Sequence, residues 1–111
     1  MKLPDNTIIA ADKFTRYLLV PQARGDKSAF LAGAGYTLEN VDQLLHDLRA
    51  QILPLDATPL ESGKFGQYYE IRGTLSGPKG VTRVVRTIWM TEHLSGITKF
   101  VTLVPDKRRM R

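Results

Sequence analysis

Hydrophobic residues in the first half of the chain recur at intervals of three and four, the spacing that places them on one face of an α-helix. The clearest run has its apolar positions at Leu38, Val41, Leu44, Leu45, Leu48 and Ile52. Thr37, before the run, is a residue type that caps helix N-termini, and Pro54, after it, cannot continue a helix. The pattern therefore predicts an amphipathic helix over residues 38–52.

Two shorter helical segments are predicted before this helix. Residues 11–20 provide about two and a half helical turns, which Pro21 ends. A polar connection over residues 22–27 then leads to a short helical turn over residues 27–32. The glycines that follow interrupt this turn, because glycine is a poor helix former.

The periodicity changes after Pro54, and the second half of the chain has the pattern of β-strands. Three strands are predicted over residues 66–75, 81–91 and 97–104, with a short edge strand between residues 55 and 65. Glycine-rich turn clusters separate the three strands. Consecutive strands joined by short turns pair as an antiparallel meander.

The predicted fold class is α+β, with N-terminal helices packed on one face of a three- to four-stranded antiparallel β-meander. A chain of 111 residues favours a single domain, which we place at residues 1–106. Residues 107–111 are expected to form a basic, disordered tail, because terminal runs of like charge are usually solvated.

Side chains alternate between the two faces of a strand, so each face can be predicted from the sequence. The face expected to pack on the long helix comprises Tyr69, Ile71, Leu75, Val84, Ile88, Met90, Ile97, Val101 and Leu103. The open face is expected to carry Tyr68, Glu70, Arg72, Arg83, Thr87, Trp89, Thr98 and Thr102. Arg86 falls on the core side by this alternation.

An open face of cations, hydroxyls and aromatic rings has the groups that hold phosphates and unstacked bases. An antiparallel sheet tolerates one solvated face, so this placement is physically reasonable. Hydroxyls and arginines on such a face also occur without a specific role. Because tryptophan is more often a core residue than a stacking surface, both interpretations of Trp89 stay open.

Positive charge is concentrated in the second half of the chain. Residues 1–63 contain six Lys/Arg and eight Asp/Glu, a balance of −2, whereas residues 64–111 contain ten and three, a balance of +7. Four of those ten cations lie in the tail, so the sheet keeps +3 without them. The asymmetry favours a polyanionic partner, and solubility is the alternative explanation.

Several function classes are excluded or disfavoured by composition. The absence of cysteine excludes disulfides, a thiolate nucleophile and cysteine-ligated metals. No apolar run approaches the ~18 residues of a membrane helix, and residues 1–6 lack the apolar segment of a secretory signal. No acidic pair has metal-ligand spacing and no phosphate-binding glycine motif is present. We therefore expect a cytoplasmic protein with no membrane association, no metal and no cofactor.

Four segments carry a resemblance to a known family: Lys13–Leu19, Tyr69–Leu75, Val85–Trp89 and Phe100–Pro105. They resemble an uncharacterised bacterial family of toxin-like domains, which in turn resembles the barnase–EndoU–colicin–RelE superfamily of metal-independent ribonucleases. Those proteins place N-terminal helices before a curved antiparallel sheet, in the same order as the elements predicted above.

The resemblance implies an endoribonuclease, the toxin of a toxin–inhibitor pair, that cleaves RNA such as tRNA through attack of the ribose 2′-hydroxyl on its own phosphate. Lys13 matches a helical lysine of the family, and Arg86 matches a motif arginine. Thr87 and Trp89 match a hydroxyl residue and a tryptophan two positions apart. Thr102 matches the hydroxyl of the last strand. Lys13, Arg86, Thr87 and Thr102 are thus the expected catalytic residues.

Substrate binding is expected from Tyr17, Tyr68, Arg83 and Trp89. Many members of the superfamily use a histidine as acid or base, but neither histidine of this chain occupies a motif position. Glu70, on the open face, is a candidate base instead. RNA is the expected partner, together with a cognate inhibitor protein. The alternatives are a non-catalytic RNA- or protein-binding module that uses the same sheet, and a toxin remnant with neither activity.

Overall fold

The computed structural model describes residues 1–21 and 27–106. The predicted connection over residues 22–27 lies almost entirely outside the described residues, and the predicted tail over residues 107–111 lies wholly outside them. The described residues form an α+β fold in which the helices precede an antiparallel sheet. The predicted fold class is therefore confirmed.

The sheet has four strands in the order β1-β2-β3-β4, each antiparallel to its neighbour. Its strands are β1 (Thr58–Ser62), β2 (Gly66–Ser76), β3 (Thr82–Glu92) and β4 (Thr98–Pro105). The three predicted strands and the short edge strand are all present. Their observed ends lie within one residue of those predicted for β2, β3 and β4.

The helix predicted over residues 38–52 is present as three consecutive segments. Helical structure comprises a π-helical segment (Phe14–Leu18), α1 (Ser28–Gly33), a 3₁₀ turn (Leu38–Asn40), α2 (Val41–Asp47) and a second π-helical segment (Leu48–Ile52). Thr37 begins the long run as predicted, because its hydroxyl accepts the Glu39 backbone N–H at 3.2 Å.

The hydrophobic core lies between these helices and one face of the sheet, here called the core face. Leu44, Leu48 and Ile52 of the long helical run are fully buried. The Phe14 ring stacks on Phe100 of β4 with centroids 5.1 Å apart. The helices thus cover the core face, and the opposite face of the sheet, the open face, carries none of them.

The predicted face assignment is wrong for β3. Val85, Thr87 and Trp89 are fully buried on the core face, whereas Val84 is 51% exposed. The open face of β3 therefore carries Ile88, with Arg86 and Met90 on either side of it, and all three are half-buried. The open face of β3 consequently carries Arg86, which the sequence pattern had placed towards the core.

A β-bulge in β4 explains why only some of the face assignments predicted for that strand are correct. Phe100 pairs with Trp89 and Thr102 pairs with Ile88, so Val101 is an extra residue without a partner. The extra residue reverses the alternation of faces. Thr98 is therefore buried before the bulge, contrary to its predicted exposure, while the predictions that Leu103 is buried and that Thr102 faces outward are confirmed.

The N-terminal segment closes part of the free edge of β4. Ile8 donates its N–H to the Thr98 carbonyl at 2.9 Å and accepts the Phe100 N–H at 2.8 Å, which forms a parallel bridge to Lys99. The Arg49 guanidinium holds this segment from the helical side by donating to the Thr7 carbonyl at 2.7 Å.

Candidate functional site

Four charged residues meet on the open face at the middle of the sheet. Glu70 and Arg72 come from β2, Arg86 comes from β3, and Asp106 follows the last residue of β4. We call these four residues the open-face charge cluster. They converge because Arg72 and Arg86 are Cα partners, and because the Asp106 N–H donates to the Val84 carbonyl, which extends the β4 pairing.

Ion pairs join all four members of the cluster. Arg72 donates to Asp106 Oδ1 at 2.6 Å, and its other amino group lies 3.2 Å from Glu70 Oε2. Arg86 donates to the same Glu70 oxygen through Nε. Two arginines directly opposite each other would repel, and the two carboxylates remove that repulsion. The cluster is thus neutral as a unit.

Burial and hydrogen bonding act in opposite directions on Glu70. Burial raises the pKa of Glu70, but the hydrogen bonds from Arg86 and Arg72 outweigh it, and the resulting pKa lies below the ordinary value. The Asp106 hydrogen bond, with a smaller contribution from Glu70, raises the pKa of Arg72. The Glu70 carboxylate and the Arg72 guanidinium are therefore ionised at neutral pH.

The cluster keeps hydrogen-bonding capacity that the described protein does not use. Arg86 is 34% exposed and bonds to Glu70 through Nε, while its two terminal amino groups have no hydrogen-bond partner among the described residues. Glu70 Oε1 accepts no hydrogen bond from the described residues, and it is not fully buried, since no fully buried side-chain oxygen among those residues lacks a partner. A guanidinium with two free donors matches the oxygens of a phosphate.

Neutral residues extend the cluster along the open face. Glu70, Ile88 and Thr102 form one row across β2, β3 and β4, and Thr102 is half-buried. Tyr68 and Met90 are partners in the next row and are also half-buried. Of the eight residues that sequence analysis assigned to the site, the open face therefore carries Arg86, Thr102 and Tyr68.

Thr87 and Trp89 lie behind the sheet, inside the core. Trp89 Nε1 donates to the Thr87 hydroxyl at 2.7 Å, and that hydroxyl donates to the Ile71 carbonyl at 2.8 Å. Both side chains are fully buried, so their predicted placement on the open face is wrong. The spacing of a hydroxyl residue and a tryptophan two positions apart serves here to satisfy a buried indole N–H.

The other predicted site residues also lie on the helical side of the sheet. Arg83 donates from Nε to the Phe30 carbonyl of α1 at 3.0 Å and places its guanidinium over the Phe30 ring. Lys13 is half-buried beside Phe14, and its side chain forms no hydrogen bond or ion pair within the described residues. Tyr17, on the same segment, is 61% exposed. Lys13 and Thr102 thus lie on opposite sides of the sheet.

Asp106 was not among the residues predicted from the sequence, and Glu70 was predicted as a base without its two arginine partners. One signal was available for Glu70, because Arg72 is two residues away and must share its face. Asp106 had no such signal, since its position opposite Arg72 depends on the bulge and on pairing that continues past Pro105.

A comparison with protein families covers nearly the whole chain. The model of a family described as a domain of unknown function, DUF6883, matches residues 2–107. The chain belongs to this family. Searches of curated proteins and of solved structures found no match. The open-face charge cluster of this DUF6883 domain lies entirely within the matched residues.

Two further properties of the DUF6883 domain bear on its site. In residues 1–21 and 27–106, no group of three or more histidine or carboxylate side chains is arranged to hold a metal ion. No helix of the same residues has the length and apolar character needed to cross a membrane.

Replacing Glu70 with glutamine is expected to lower the unfolding free energy by about 1.5–3 kcal/mol at neutral pH, the usual contribution of hydrogen bonds to a charged group. The folded-state pKa of Glu70 lies below its unfolded value, so this stabilisation is fully present above about pH 4.3 and is lost as pH falls through the folded-state pKa. Urea unfolding across the acid range measures the difference between wild type and variant.

The matched control for this prediction is Glu92→Gln on the same face. Glu92 pairs with Lys99 at 2.6 Å, but its side chain is 32% exposed against 14% for Glu70. Its loss should therefore cost less, because exposed ion pairs contribute little. A Glu70→Gln effect that stays constant down to pH 2 would contradict the assigned pKa direction.

Proposed function

We propose that this DUF6883 domain is a small metal-independent ribonuclease that uses the open-face charge cluster as its active site. One observation carries the proposal: an ionised Glu70 carboxylate lies against two guanidiniums, and Arg86 still has two donors for a phosphate. A base and cations beside the same phosphate are what 2′-hydroxyl attack requires.

The reaction needs no group beyond those of the cluster and water. Glu70 Oε1 accepts the proton of the ribose 2′-hydroxyl as the 2′ oxygen bonds to phosphorus. The bond between phosphorus and the 5′ oxygen breaks, and water protonates the leaving oxygen. The products are a 2′,3′-cyclic phosphate and a 5′-hydroxyl. Arg86, supported by Arg72, stabilises the negative charge that develops on the phosphoryl oxygens.

The charge distribution supports RNA as the substrate. The second half of the chain, which carries the cluster, has a balance of +7, and such a field raises the local concentration of a polyanion. The cluster itself is neutral, so the surrounding cations attract the substrate and the cluster acts on it. A cognate inhibitor protein, also implied by the family resemblance, would then be acidic and would cover the open face.

The other three catalytic residues implied by the family resemblance have different roles in this proposal. Thr102 lies in the Glu70 row and is a candidate contact for the ribose. Thr87 acts as a positioning residue, because its hydroxyl holds the Ile71 carbonyl between Glu70 and Arg72. Lys13 has no part in this site, since it lies on the helical side of the sheet.

Cleavage of a ribonucleotide oligomer in the presence of a chelator tests the proposal. Glu70→Gln is expected to lower kcat/KM by about 10²–10⁴, the usual contribution of a general base. Arg86→Lys is expected to lower it by about 10²–10³, because lysine cannot offer paired donors while bonded to Glu70. The deoxyribose version of the oligomer lacks the nucleophile and should stay intact.

Glu92→Gln is the control for cleavage as well, because it removes an open-face carboxylate that lies outside the cluster. It should leave kcat/KM within about twofold of wild type, as expected for an exposed ion pair. Salt-sensitive binding of the oligomer without cleavage would overturn the enzyme and favour the binding module. No binding at low salt would contradict both functions.

A further inference from the structure

Tyr68 and Met90 lie next to each other on the open face, one row from Glu70. They are Cα partners on β2 and β3, and the neighbouring row holds Glu70 and Ile88. Residues two apart on a strand share a face about 6.6–6.8 Å apart. The pair therefore lies beside the phosphate site at a distance that a single nucleotide can span.

Two glycines leave room for these side chains to pack against the backbone. A Cβ atom on Gly63 would come within 3.3 Å of Tyr68 Cε2, so the ring packs against the bare backbone of the turn before β2. A Cβ on Gly66 would come within 2.7 Å of Met90 Cγ and 2.9 Å of its sulfur. Each side chain thus has one side against backbone, and both are half-buried. We call this pair the Tyr68–Met90 surface.

We infer that the Tyr68–Met90 surface holds an unpaired base of the RNA, so that the substrate of this site is single-stranded. A base with a free face can stack on an aromatic ring and contact a polarisable thioether, whereas the bases of a duplex already stack on one another. Charge complementarity is supplied by Arg86, whose free donors hold the adjoining phosphate. The inference rests on the proposed function and adds the substrate class to it.

The apolar residue in the Glu70 row fits the same arrangement. Ile88 is half-buried on the open face, between Glu70 on one side and Thr102 on the other. It offers no hydrogen bond to a base edge. The described contacts therefore favour stacking without selection of one base, as occurs at other single-strand surfaces.

Binding of two deoxyribose oligomers tests the inference without cleavage. One oligomer carries bases and the other is abasic with the same number of phosphates, and fluorescence anisotropy at low salt gives both Kd values. The full-length wild-type chain should bind the base-containing oligomer at least about fivefold more tightly, from the stacking of one base. Tyr68→Ala should reduce that ratio to near one, and Tyr68→Phe should restore it.

Phe65→Ala is the matched control, because Phe65 is an aromatic residue at the end of the sheet and 71% exposed. It should keep the wild-type ratio. Equal loss of the ratio in Phe65→Ala, or an unchanged ratio in Tyr68→Ala, would overturn the inference. If Glu70-dependent cleavage persists in the chelator while the wild-type chain binds both oligomers equally, that pair of results would overturn this inference and leave the proposed function standing. Absence of such cleavage would overturn the proposed function.

Discussion

The Trp89→Ala protein is expected to lose about 3–5 kcal/mol of unfolding free energy, the cost of removing a large aromatic side chain from a core. Trp89 is fully buried and meets the Phe100 ring edge-on, with centroids 5.3 Å apart. Small domains have about 5–15 kcal/mol in total, so the loss is a large fraction of the stability. Urea unfolding followed by circular dichroism measures it.

A surface aromatic gives the control for this experiment. Phe65→Ala should change the unfolding free energy by no more than about 0.5 kcal/mol, because Phe65 is largely exposed. The family resemblance implies a different result, in which Trp89 contacts RNA. A Trp89→Ala protein of normal stability that fails to bind RNA would support that role and contradict the core role.

Replacing Thr87 with valine should produce the second large loss of stability. Valine has nearly the same shape, but it removes the hydroxyl that donates to the Ile71 carbonyl and leaves Trp89 Nε1 without an acceptor. A buried N–H left unpaired costs about 1–3 kcal/mol. Thr87→Ser keeps the hydroxyl and removes one methyl group, so its cost should be near 1 kcal/mol. Thermal and urea unfolding of both variants provide the comparison.

The same two variants separate a structural hydroxyl from a catalytic one. If Thr87 only positions the sheet, the rate of RNA cleavage per folded molecule should follow the remaining stability and should be nearly normal in Thr87→Ser. A Thr87→Val protein that keeps its unfolding free energy but loses cleavage more than a hundredfold would restore the catalytic assignment.

The elements of the fold could be predicted because their patterns are long and mutually consistent. The apolar stripe from Leu38 to Ile52 has the helical period over its whole length, and Thr37 and Pro54 mark its two ends. In the second half, turn clusters bound each strand, and short turns leave only antiparallel pairing between neighbours. These features depend on local sequence alone.

The faces of β3 could not be predicted, because both sets of alternating residues contain apolar side chains. Val84 and Ile88 indicated that one face of β3 is buried, and Val85 and Trp89 indicated equally that the other face is buried. Thr87 misled the assignment, since its hydroxyl is fully satisfied inside the core and carries no desolvation penalty there.

The open-face charge cluster could not be predicted from the sequence, because its contacts depend on how the strands pair. Arg86 has an acidic partner on β2, whereas the sequence pattern placed it on the core side. The bulge at Val101 reverses the alternation of faces, and this decides which side of β4 faces the cluster. Asp106 then reaches Arg72 from beyond the strand.

The bridge between Ile8 and Lys99 has a consequence for how the chain folds during synthesis. Its partners are 91 residues apart in sequence, so Ile8 cannot pair until β4 has been synthesised. Contacts of such high sequence separation form slowly, because the intervening chain must be ordered first. The edge of β4 is therefore expected to close last, after the strands of the sheet have paired with one another.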